Sequence, residues 1–160
     1  MTYMLSSKAL HTVNMEEVCS SCKGGYFHIA PKITKVAVIN LGMQKENLMD
    51  MVNMKCSLNV FDEDFSVNQL NMVPHDIVMV SNGKLDAEKI PMVVDKIKAL
   101  IGKKKIFGIG LGQELVKEAA AQAGVQTWKQ EGDIMISEEN KLYCCDMSQQ
   151  NQLEEIMKYA

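Results

Sequence analysis

Long apolar runs are missing from this sequence. No stretch of about 18 consecutive apolar residues occurs, which excludes the usual signature of a membrane-spanning helix. Nor does an apolar segment follow Met1 as a secretory leader requires, so a cytoplasmic protein is expected. An excess of positive charge is missing too: 17 basic against 20 acidic side chains leave a net charge of -3. That balance argues against a nucleic-acid footprint, which would need a basic face. The basic run Lys103-Lys104-Lys105 precedes an apolar segment and reads as a solvated loop. Aromatic residues are few, at four Phe, four Tyr and one Trp against thirteen Met, so flexible side chains are expected to fill much of the core. Met49, Met51 and Met54 belong to that packing and do not make a metal box. Cysteine is odd in number, five, and irregularly spaced, which argues against a disulfide framework and suits a reducing compartment.

What is present is a chain of 160 residues, 47% hydrophobic and 23% charged, long enough for one substantial core. Residues 1–34 are interrupted by Gly24, Gly25 and Pro31 and show no sustained period, with Tyr26–Ile29 as a short strand candidate. They are read as an N-terminal extension, and residues 35–160 as one α/β domain. From Lys35 the pattern sharpens. Val36–Ile39 is a buried strand, and a helix over residues 44–55 puts Leu48, Met51 and Val52 on one face. Ser57–Phe61 is a second strand, Ser66–Met72 a short helix capped by its serine, and Ile77–Val80 a third strand. Ala87–Ile101 reads as a long helix with Pro91 in its first turn and Gly102 at its end. Val125–Lys129 is expected as a strand, residues 133–137 and 141–145 as a hairpin, and residues 149–159 as a closing helix. Strands alternating with helices predict a three-layer α/β sandwich with a mostly parallel central sheet. Its ligand crevice lies at the carboxyl ends of the strands, where the loops 40–42, 81–86 and 108–113 meet.

The most informative stretch joins the last of those loops to a helix. Ile106, Phe107 and Ile109 enter three alternate glycines, Gly108, Gly110 and Gly112, and an alanine-rich helix then runs to Gly124. Strand, tight glycine turn and helix form a nucleophile elbow, with small neighbours where two chain segments pass closely. The residue at its tip is Gly110, which has no side chain to attack with.

Three motifs in the right order resemble the class I glutamine amidotransferase domain, and within that family the small subunit of carbamoyl-phosphate synthetase. Lys35-Val-Ala-Val-Ile-Asn-Leu-Gly-Met-Gln-Lys-Glu-Asn-Leu48 resembles its opening strand and helix. Val80-Ser-Asn-Gly83 resembles its oxyanion loop, which continues Pro-Gly-Asp-Pro in active members and reads Lys84-Leu85-Asp86 here. Phe107-Gly-Ile-Gly-Leu-Gly-Gln-Glu-Leu115 resembles its elbow, normally Phe-Gly-Ile-Cys-Leu-Gly-His-Gln-Leu. The resemblance implies a flavodoxin-like sandwich with an abbreviated C-terminal part, and it implies lost chemistry. The catalytic Cys position holds Gly110, the family's His falls on Gln113 and its substrate-holding Gln on Glu114. Its catalytic His and Glu lie beyond the elbow, whereas no His follows His75 here.

Glutamine hydrolysis needs a thiolate, a base for its proton and N–H donors for the oxyanion. Only the last are expected to persist, in the backbone around Gly83 and Leu111. The reading is a catalytically inactive amidotransferase-like protein, a binding, regulatory or scaffolding module needing no cofactor. Its pocket is expected at Ser81, Asn82, Gly83, Gly110, Leu111, Gln113 and Glu114, for a small amino acid or anion. A protein partner or a second copy of the chain is the other expected contact. The alternative is an enzyme of different mechanism in the same crevice, with a metal or nucleotide supplying reactivity and His75 or Asp86 as titratable groups. Cys19, Cys22 and His28 have part of a zinc-site spacing but no evident fourth ligand nearby. The glycine turn could approach a dinucleotide phosphate with Glu131 on the ribose, but Gln113 stands where the fingerprint needs its last glycine.

Overall fold

Continuous apolar strands separated by amphipathic helices can bury both faces of a sheet only between two helical layers, and the chain does so. A computed structural model describes residues 2–5, 33–146 and 152–160. Cys19, Cys22 and His28, and the strand candidate at 26–29, lie outside the described residues. The elements are β1 (Thr2–Leu5), β2 (Thr34–Ile39), α1 (Lys45–Asn53), β3 (Cys56–Phe61), α2 (Val67–Met72), β4 (Ile77–Val80) and α3 (Ile90–Leu100). They continue with β5 (Lys105–Ile109), α4 (Leu111–Gln122), β6 (Lys129–Glu131), β7 (Ile134–Ser137), β8 (Leu142–Cys145) and α5 (Gln152–Met157).

The sheet runs β1-β3-β2-β4-β5-β8-β7-β6. Its five central strands, from β3 across to β8, are parallel, and β1, β7 and β6 join antiparallel at the edges. The register sets Val36 beside Ile77 and Val80 beside Gly108, which brings the ends of β2, β4 and β5 level. Strand order reverses at β2, since β3 lies to one side of it and β4 to the other. That is where an open parallel sheet leaves a crevice at its carboxyl edge.

One face of the sheet packs Ala37, Ile39, Val78, Val80 and Ile106 against α2, α3 and α4. The other packs Val36, Val38, Met79, Phe107 and Ile109 against α1 and α5. The core is mainly Val, Ile and Leu, with Met43, Met51 and Met79 as its buried methionines, whereas Met49, Met72 and Met92 are exposed. This corrects the expectation of a methionine-filled core: β-branched residues satisfy strand geometry and density at once.

Two boundaries also differ from expectation. Helix α3 begins at Ile90, three residues later than expected at residue 87, because Pro91 fixes the first helical turn and Ala87–Lys89 form a turn before it. Residues 125–128 are not a strand; the pairing starts at Lys129, opposite Ile136, where the edge hairpin offers a partner. Val125 and Trp128 still rest on the core as irregular chain. Ser66 caps α2 as expected, its hydroxyl accepting the Gln69 N–H at 3.4 Å.

Candidate functional site

The elbow forms because β5 ends against two other loops. Its tip, Gly110, has φ 59° and ψ -118°, a conformation L-residues adopt only under strain. Its N–H donates to the Cys145 carbonyl at 3.0 Å and its own carbonyl accepts from Gln113 N–H at 3.0 Å, so the turn is held from both sides. Gly112 lets α4 start directly beside β4: a Cβ there would overlap the Val80 carbonyl.

The neighbouring loops are tied to one another by short polar side chains. Asn40 Oδ1 accepts the N–H groups of Gly42 and Met43 at 3.1 and 2.8 Å. Ser81, fully buried, accepts the Leu41 N–H at 2.8 Å and donates to the Asn82 carbonyl at 2.9 Å. The Lys84 N–H reaches the Leu41 carbonyl at 3.0 Å, over a Gly83 whose Cβ would strike that same carbonyl.

Asn82 is the centre of the arrangement. Its Oδ1 accepts the Leu111 N–H at 3.1 Å. A Cβ built on Gly110 would overlap Oδ1 and Cγ of Asn82 and stand 2.9 Å from its Cβ. One side chain therefore fills the space above the elbow tip and takes the first free donor of α4. The Leu111 N–H, part of the oxyanion element expected around Gly83 and Leu111, is thus engaged by Asn82 in this structure.

The remaining candidates divide. Gly83 and Leu111 line a cavity of about 570 Å³ with Glu63, Lys84, Leu85 and Asp86. Gln113 is buried, its Nε2 donating to Asp146 Oδ1 at 2.7 Å. Glu114 is exposed on α4. His75 sits before β4, at the opposite edge of the sheet from the crevice, with Nδ1 2.8 Å from the Val73 carbonyl. Asp86 does reach the crevice. Glu63, missed in the sequence, reaches it from the end of β3; an acidic residue following a parallel strand was the available signal. Lys89 holds Glu63 at 2.7 Å from outside.

Glu131 lies on β6, three places along the sheet from the glycine turn, and is engaged by Lys129 at 2.9 Å and Tyr159 Oη at 2.7 Å. The Lys129 ammonium first, then the Tyr159 hydroxyl, holds its carboxyl below the usual range. Among the described residues no group of three His, Cys, Asp or Glu side chains could hold a metal.

The thiols of Cys56, Cys144 and Cys145 are all in packed interior. Burial pushes Cys56 from 9.0 up to about 11, and Cys144 and Cys145 up to about 12. None of these three offers a thiolate at neutral pH. Folded thiols that stay protonated where unfolded ones ionise stabilise the fold fully below pH 9 and less as pH rises from there towards 12. The urea midpoint is expected to fall between about pH 8 and about pH 10.5, and to fall less in a Cys56→Ala, Cys144→Ala, Cys145→Ala variant.

Set beside known proteins, the chain matches no family model. It is 30% identical over 120 residues to the carbamoyl phosphate synthase small chain of Clostridium acetobutylicum, covering 75% of this chain and 31% of that one. It is 34% identical over 90 residues to the corresponding chain of Clostridium perfringens, covering 56% and 26%. The chain is homologous to the carbamoyl phosphate synthase small chain. It spans between about a quarter and a third of the length of these relatives. A solved structure from Thermoplasma acidophilum, assigned to GMP synthase, shares the fold with TM-score 0.56 and 11% identity, over 81% of this chain and 92% of that one. Among the described residues no helix is long and apolar enough to cross a membrane.

Proposed function

We propose that this chain is an amidotransferase-like module that has given up hydrolysis and binds a small zwitterionic amino acid as a regulatory element. The observation that carries this reading is Asn82. Its side chain occupies the room an attacking thiol would need and blocks the Leu111 N–H that would meet an oxyanion. Gly110 could not be the nucleophile, and none of the three buried thiols replaces it. A catalytic elbow must keep its tip and its donor open to substrate. This one is closed by its own loop.

The cavity beside it favours a ligand carrying both charges. Lys84 can meet a carboxylate and Asp86 an ammonium, with Gly83 backbone beside them. Glutamine is the first amino acid to try, because of the homology. The relatives are named as small chains, and a larger protein partner that senses the occupied crevice is part of the proposal.

Calorimetric titration with L-glutamine, with glutamate and ammonia release followed in parallel, tests it. The expected result is binding at millimolar or lower concentration with no product. Asp86→Ala and Lys84→Ala should each weaken that binding about tenfold, the effect of losing one charge-assisted contact. Turnover would sink the reading outright. Absence of heat with glutamine, glutamate and asparagine alike would remove the amino-acid ligand.

A further inference from the structure

The edge of the sheet opposite the elbow carries a second hollow, of about 380 Å³, at the amino ends of β4, β5 and β8. Four lysines surround it. Lys103 and Lys104 come from the turn after α3, Lys105 from the first position of β5, and Lys141 from the turn before β8, where it is held at φ 59° with its N–H on the Glu138 carbonyl at 3.2 Å. The sequence separates these segments, and the sheet joins them: Ile106 N–H donates to the Lys141 carbonyl at 2.9 Å.

The charges are brought together without being neutralised. Lys104 Nζ donates to the His75 carbonyl, and Lys105 Nζ to the Tyr159 carbonyl at 2.6 Å. Both acceptors are neutral. The ion pairs of the described residues use Lys89, Lys129 and Lys158 and none of these four. The acidic side chain at the hollow is Asp76, and its Oδ2 already accepts the Lys35 N–H at 3.1 Å. The side chains at the hollow, four lysines against Asp76, make it basic in a chain whose net charge is -3, and Ala160 lines it as well. Part of this positive charge offsets the carbonyl end of α3. That role needs the lysines that follow α3, and does not account for Lys141, which arrives from another element. The floor is apolar, made by Ile77, which is 1% exposed, and by the lysine stems.

We propose that this hollow binds a small phosphate-bearing ligand, inorganic phosphate or a phosphomonoester with a compact organic body. A dianion gains from several ammonium groups at once, and the apolar floor suits the ester better than the bare ion. The site is independent of the crevice at the other edge, and it stands whether or not that crevice takes an amino acid.

The test is calorimetric titration with inorganic phosphate and with glycerol phosphate at constant ionic strength, chloride being the control for screening. Binding of glycerol phosphate with a Kd below about 1 mM is expected, with phosphate weaker. Lys103 and Lys141 are exposed, so Lys103→Gln with Lys141→Gln should fold normally, as thermal melting would verify, and weaken the ester at least about tenfold. Asp86→Ala, in the crevice, should leave it unchanged. No heat at about 10 mM of either probe would overturn the proposal, as would equal binding by the double glutamine variant. Capture of a polyglutamate peptide in place of either phosphate would also overturn it, making the hollow a docking point for an acidic protein surface.

Discussion

Gly112→Ala is expected to cost about 3 kcal/mol or more of stability, read as a fall in the urea midpoint with little change in slope. The added Cβ would overlap the Val80 carbonyl carbon and oxygen and lie 2.9 Å from the Ser81 carbonyl oxygen. These are backbone atoms at the end of a central strand, paired on both sides in the sheet, and they cannot swing aside as a side-chain end would. Helix α4 would have to move off the sheet as a unit, and Leu115, Val116, Ala119 and Ala120 with it, all of which it buries. Gly124→Ala separates this steric cost from the ordinary one. Gly124 has φ +84° with nothing within 4 Å of an added Cβ, so only the left-handed backbone is penalised, by about 1 kcal/mol. If both variants lose the same amount, close passage of α4 over β4 is not what the glycine is for.

That same closeness explains how much of the molecule could be read without coordinates. Strands β2, β4 and β5 are covered on both faces, so each appears in sequence as an unbroken apolar run, and their positions follow directly. The alternate glycines 108, 110 and 112 identify the elbow because few other residues pass between α4 and the sheet. The edge hairpin is less legible at its far end. Lys129–Glu131 carries no apolar alternation, and its strand exists only because β7 supplies partners. The part of the site that matters most is legible in composition and not in role. The motif marks Asn82 as an oxyanion-loop residue, but nothing local says that its side chain crosses to the N–H of Leu111, 29 residues away. The second hollow is hidden for the same reason. Lys103-Lys104-Lys105 alone is a solvated run, and it becomes a site only when the β5–β8 pairing adds Lys141.

The filled elbow leads to the other large effect, a coupling between positions 82 and 110. Gly110→Cys alone should destabilise the protein by about 3 kcal/mol, combining a strained φ for an L-residue with the overlap against Asn82. Asn82→Gly alone should cost about 1 kcal/mol, mostly the lost bond to the Leu111 N–H and the freer unfolded chain. The pair together should be less unstable than the sum by about 1–3 kcal/mol, since removing the Asn82 side chain clears the space the thiol enters. Urea unfolding of all four forms measures that difference. Additive losses would mean that Asn82 yields easily and does not seal the elbow. A coupling of the expected sign would mean that restoring a nucleophile requires opening the loop as well. The doubly changed protein should then bind an alkylating glutamine analogue faster than Gly110→Cys alone, because its Leu111 N–H is free to meet the ligand. It should still release no measurable ammonia, since no His follows His75 in the sequence to take the proton of the new thiol.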